Sequence, residues 1–180
     1  MKVFLVEVSE LPPGLAGAVL GGLPPPFAGG ETMTAAFDLE RCFDRARAQV
    51  DAACLIELLP HPPPGSALLG LTGADLFLSA LAYVFGLSPV GTRRGVLSWA
   101  RLRPEAGGGG GREQLQHRVV TEAVHELGHA LGLVHCPVTE CAMHRSLWPE
   151  AVDLKAPIYC PSCAVQLQAL LQEQQFRVPR

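Results

Sequence analysis

The stretch from Arg112 to His135 reads REQLQHRVVTEAVHELGHALGLVH, and its spacing decides how the rest of the chain is read. Leu115, Val119, Val120, Ala123, Val124, Leu127 and Leu131 recur mostly three and four residues apart, which predicts one buried stripe of an α-helix over Arg112–Leu131. Arg118, Glu122, His125 and His129 keep the same rhythm on a neighbouring stripe. The two histidines therefore stand one turn apart, at the edge of a helix whose back lies in the core. A rigid metal site is best built there.

The same segment carries chemistry. His125 and His129 share a face, so both imidazoles can reach one ion. Gly132 follows His129 by three residues and can take the positive φ that ends a helix. The chain then turns and His135 offers a third nitrogen. Three protein ligands leave a fourth position for water, the mark of a catalytic zinc. Glu126 adjoins the first ligand and is the candidate general base toward that water. The plain alternative is an amphipathic helix with satisfied histidines. Gly132 and His135 at these offsets make that coincidence hard to sustain.

Four cysteines follow at once: Cys136, Cys141, Cys160 and Cys163. The last two form a Cys-Pro-Ser-Cys knuckle, a spacing that brings two thiolates to one tetrahedral ion, so the four read as a closed, structural zinc site. Disulfides, or a redox pair at Cys160 and Cys163, are the competing readings. A redox pair belongs beside a βαβ unit, and none is evident here. Cys42 and Cys54 read as buried thiols. His61 and His117 have no partner spacing, and His144 reads as a surface or supporting residue more readily than one facing a cleft.

From His125 to His135, with Cys136, Cys141, Met143 and the Cys160/Cys163 pair in order, the chain resembles the archaemetzincins. Weaker likeness covers Phe43–Gln49, Leu69–Phe77, Val84–Gly86 and Val96–Leu102, so the resemblance runs from about Phe43 to Cys163. It implies an α+β fold: a mixed, twisted sheet packed on helices, with the active-site helix beneath a cleft and a C-terminal part organised by the four-cysteine zinc. It also implies that Met143 lies in the turn beneath the catalytic zinc, supporting it by packing.

The remaining sequence is consistent with one domain over 1–180: a mainly sheet-forming part over 1–111, the active-site helix and zinc turn over 112–135, and a C-terminal part over 136–180. Strands are predicted over Lys2–Val8, Thr32–Leu39, Ala67–Leu71, Leu76–Phe85 and Gly95–Leu102, with helices at Leu11–Leu20 and Asp51–Leu59. Gly107–Gly111 reads as a flexible link, because glycine loses most backbone freedom on ordering. Leu167, Leu170 and Leu171 look like the packed face of a last helix.

Composition narrows the function. A formal net charge of −3 argues against a nucleic-acid partner, and no apolar run approaches the ~20 residues that span a bilayer. The expected protein is a cytoplasmic, monomeric zinc metallopeptidase with two zincs per chain and a peptide or protein substrate. A zinc-bound water would attack the peptide bond with Glu126 as base. An extended substrate is expected along an edge strand within Leu76–Phe85 or Gly95–Leu102. An enzyme specific for an amino terminus would need an acidic group near the zinc to hold a free amine, and Glu122 and Asp153 are the candidates by elimination. The rival readings are a zinc-stabilised peptide-binding module without turnover, and a hydrolase acting on something other than peptides.

Overall fold

The computed structural model describes residues 1–27, 29–104 and 111–176. The first half of the chain runs β1 (Lys2–Glu7), α1 (Leu15–Gly21), β2 (Gly30–Thr34), β3 (Phe43–Asp44), β4 (Gln49–Asp51), α2 (Ala52–Leu58) and β5 (Ser66–Thr72). The second runs β6 (Leu76–Leu78), β7 (Leu81–Val84), β8 (Gly86–Leu87), β9 (Arg94–Ser98), α3 (Gly111–Leu131), α4 (Pro149–Val152) and α5 (Pro161–Phe176). Five strands form a mixed sheet in the order β2-β1-β5-β9-β8, parallel except for β8 against β9. A smaller sheet has the order β3-β4-β6-β7. The α+β architecture expected from the sequence is present.

Strand side chains alternate between two faces, and each face finds its own helices. Val3, Leu5, Leu69, Leu71 and Leu97 pack with α1 and α3 through Leu15, Val19, Val119, Val124 and Leu127. Val6, Val8, Leu68 and Val96 pack instead with Leu55, Ile56 and Leu59 at α2. β5 lies in the middle and is buried along its whole length, as a parallel strand covered on both faces must be. Leu127 and Leu131 are fully buried, so truncating either to alanine costs about 2–5 kcal/mol.

Local chemistry explains several boundaries. Asp51 caps α2, its carboxylate accepting from the amides of Ala53 (2.8 Å) and Cys54 (3.3 Å). The single strand predicted over Leu76–Phe85 is a hairpin, β6 and β7 turning at Ser79–Ala80 with neither glycine nor proline to announce it. The strand predicted to run on to Leu102 stops at Ser98. There the Ser98 hydroxyl donates to the Ala74 carbonyl (2.6 Å) and accepts from the Ala100 amide (3.1 Å), and a 3-10 turn over Ala100–Leu102 follows. The second strand begins earlier than expected and is short, Gly30–Thr34. Residues 107–110 of the expected glycine link lie outside the described residues, and Gly111 opens α3.

The reading of the two upstream cysteines is also overturned. Cys42 and Cys54 are joined in a disulfide and are not free thiols. Cys42 ends a short 3-10 turn and Cys54 sits in the first turn of α2, which sets their Cα atoms 5.5 Å apart, within bridging range. Their separation of 12 residues carries no signal of this, because the approach is made by two elements packing.

Candidate active site

Helix α3 is buried on nearly every side from Arg118 to Leu131, so the histidines it carries are held by a fixed backbone. Its end is a Schellman turn. Gly132 takes φ +114°, its amide bonds to the His129 carbonyl (2.9 Å), and the Leu133 amide bonds to Gly128 (2.9 Å). That reversal brings His135 back beside the helix. The rings of His125, His129 and His135 gather with centroids 4.6, 5.3 and 4.9 Å apart.

Two of the rings are oriented by hydrogen bonds on the far nitrogen. His125 Nδ1 donates to the Ala142 carbonyl (2.7 Å) and His129 Nδ1 donates to Leu133 (2.8 Å), since a carbonyl can only accept. The Nε2 atoms then face each other at 3.1 Å. Burial lowers the pKa of all three rings, that of His125 well below the usual histidine value, so the neutral forms are favoured. Opposed lone pairs at that distance call for a cation between them. Tetrahedral zinc with Zn–N bonds of ~2.0–2.1 Å places ligand nitrogens ~3.3 Å apart, close to the spacing seen.

Glu126 lies in the same cleft, and its Oε2 is buried without a hydrogen-bond partner. Burial pushes its pKa up to about 8. Ser88 tempers that rise by proximity, although its own hydroxyl is also unpartnered. The carboxyl lies against β8 only because residue 86 is glycine. A Cβ there would lie 2.6 Å from Glu126 Oε1 and 2.6 Å from the Val96 carbonyl. The cleft has a volume of about 370 Å³, walled on one side by Leu81–Ser88 and on the other by His125, Glu126, His129 and His135. Its wall is therefore the run through β7 and β8, an edge of each sheet. Of the two substrate strands expected, Leu76–Phe85 supplies part of this edge; β9 is interior, covered by β8.

Met143 is fully buried below α3. Gly128 makes that possible, since a Cβ there would collide with Met143 Sδ and stand 3.2 Å from the Tyr159 ring. The four remaining cysteines form a second cluster, free of disulfides, with ligand atoms all within 4.8 Å of one another. Cys136 and Cys160 Sγ are 3.7 Å apart. A disulfide would bring sulfurs to ~2.05 Å, whereas Zn–S bonds of ~2.3 Å at tetrahedral angles put them ~3.8 Å apart.

A family model described as peptidase family M54 matches residues 64–169. The chain belongs to the archaemetzincins. It is 37% identical over 128 residues to the archaemetzincin of Archaeoglobus fulgidus, covering 71% of this chain and 74% of that one. The crystal structure of that archaemetzincin, complexed with malonate, superposes with TM-score 0.78 at 33% identity over 92% of this chain and 99% of the other. The archaemetzincin of Methanopyrus kandleri superposes with TM-score 0.82 at 32% identity over 96% of each chain. As an archaemetzincin, this protein is a zinc-dependent peptidase. Among the described residues of this archaemetzincin no helix is long and apolar enough to cross a membrane.

Several residues around this archaemetzincin's site make contacts that the sequence did not announce. Glu122 also converges on His125 and Glu126, but its carboxylate is bound by Lys155 Nζ at 2.6 Å. Asp153 is held by Arg118 at 2.6 and 2.8 Å. Both acids proposed as holders of a substrate amine are thus engaged by cations. His144 is not among the cleft-lining residues; its Nδ1 donates to the Cys136 carbonyl (3.0 Å). The stripe that placed Arg118 and Glu122 beside the histidines was the available signal for their ion pairs. Gly86 fell within the weakly similar stretch Val84–Gly86 but carried no role there, and nothing in the sequence marked Ser88.

Proposed function

We propose that this archaemetzincin cleaves peptide bonds at a zinc held by His125, His129 and His135, with Glu126 as general base. The observation that carries the reading is the pair of Nε2 atoms 3.1 Å apart whose Nδ1 partners are both committed to carbonyls. Zinc bound there supplies Lewis acidity toward a carbonyl oxygen and toward water.

The chain's own groups do the rest. The edge formed by Leu81–Leu87 aligns an extended peptide by strand addition, setting its backbone against the cleft. Glu126 accepts the proton of the attacking water on its free Oε2 and delivers it to the leaving amine. A zinc held by the three imidazoles would favour the carboxylate that this role requires, against the burial that otherwise raises its pKa. Cys136, Cys141, Cys160 and Cys163 hold a second zinc, a closed site that ties the segment after His135 to α5. A pure binding module has no use for a buried, unpartnered carboxylate beside three imidazoles. The finer reading takes the protein as a cytoplasmic monomer with a peptide or protein substrate and neither a nucleic-acid nor a membrane partner. The low net charge of −3 supports the lack of a nucleic-acid partner and four unbonded thiols support the compartment, while the Cys42–Cys54 bridge runs against it.

The test is Glu126→Gln, assayed on a peptide library with zinc content measured in parallel. The expected result is full metal content and turnover reduced by about 10²–10⁴-fold. Cleavage at the wild-type rate by that variant removes Glu126 from the mechanism.

A further inference from the structure

Ion pairs fasten α3 to the chain that follows the zinc turn, Arg118 standing 3.7 Å from Glu150 besides the closer contacts. Arg118 binds Asp153, and one helical turn on, Glu122 binds Lys155. They differ in what else they touch. Arg118 also reaches the Leu102 carbonyl, away from the histidines (3.3 Å). Lys155 is fully buried and donates to two more acceptors, the carbonyls of Ala142 (3.3 Å) and His144 (3.1 Å). Ala142 is the residue whose carbonyl also accepts from His125 Nδ1 at 2.7 Å.

We infer that Lys155 is a positioning residue for His125, holding in place the Ala142 carbonyl on which that ring is oriented. The inference rests on the reading of the three histidines as zinc ligands. A peptide oxygen has two lone pairs, and here one takes the imidazole N–H and the other the ammonium. The second ammonium bond, to His144, fixes the opposite end of the same turn, with Met143 buried between. The third, to Glu122, anchors the cation to the helix that carries His125 itself. One ammonium therefore sets the distance between a ligand's helix and that ligand's acceptor. Groups that orient metal-bound histidines in this way typically change metal affinity or activity by about 10–100-fold when lost.

Lys155→Met alone strands the Glu122 carboxylate in the interior, so the informative variant replaces both partners, Glu122→Leu with Lys155→Met, exchanging a buried ion pair for apolar volume. Its affinity for zinc is measured by competition with chelators of graded strength, beside wild type, His129→Ala and Arg118→Met. The expected double variant melts cooperatively, keeps the zinc that His129→Ala also keeps, and binds the other zinc about 10–100-fold more weakly. Its kcat falls with KM little changed, and Arg118→Met retains wild-type affinity. A folded double variant with unchanged affinity overturns the inference, as does an equal loss in Arg118→Met. A wild type whose zinc content is untouched by His129→Ala instead removes the histidine site, and this inference with it.

Discussion

The Nε2 atoms of His125 and His129 stand 3.1 Å apart, and neither has a proton to offer the other. A single ion held between them would relieve that opposition, and the cysteines at 136, 141, 160 and 163 form a separate cluster. Elemental analysis is therefore expected to find two zincs in the purified wild type and one in His129→Ala, with the remaining zinc resistant to mild chelation. Cys160→Ser with Cys163→Ser should lose the other zinc together with the fold of α5, because closed sites couple binding to folding. A well-folded double-cysteine variant would speak against a structural role.

Gly86 and Glu126 share one small volume at the edge of the larger sheet. A methyl group at residue 86 would stand 2.6 Å from Glu126 Oε1, so the carboxyl must move. Gly86→Ala is expected to lower kcat/KM by roughly 10²-fold, the size of effect an ångström of misplacement has at a reacting group. Zinc content should stay at the wild-type value. Equal activity in that variant would show that Glu126 does not need its present position.

The Cys42–Cys54 bridge lies with α2, on the face of the sheet away from the histidines. Closing a loop this short restricts the unfolded chain by about 3 kcal/mol. Cys42→Ser should melt roughly 5–10 °C lower while keeping both zincs and its activity. Mass spectrometry of the unreduced protein, two hydrogens light, checks that the bridge is present.

Asp153 is held below the ordinary aspartate range, first by its hydrogen bonds with Arg118 and further by Gln114. A lowered carboxylate pKa contributes stability above the unfolded value near ~3.9, and that contribution disappears as pH falls through the folded value. Asp153→Asn should therefore melt below wild type at neutral pH, with the gap constant down to about pH 5 and closing under about pH 4. A gap that persists at acid pH would mean that the side chain acts through packing and not through its charge. Thermal melts across that range decide between them.

Much of this was legible because it is local. The 3.6-residue period of Leu115 to Leu131 set α3, the four-residue step set His125 above His129, and Gly132 announced the reversal that returns His135. Asp51 before an apolar run marked the start of α2 in the same way. The hairpin at Ser79–Ala80 is not legible because its turn uses ordinary residues, and the strand predicted to reach Leu102 stops short because Ser98 ends it with a side-chain bond no periodicity contains.

By itself, then, the order of residues determined the helix, the ligand set it can offer and the class of chemistry those ligands perform, since each follows from spacing within one or two turns. Only the folded chain decided that Cys42 meets Cys54, that Glu122 is bound by Lys155 across 33 positions, and that Gly86 leaves room for Glu126. Those contacts arise where separate elements pack against each other. Their partners are chosen by the shape and burial of the whole molecule, which no short-range pattern records.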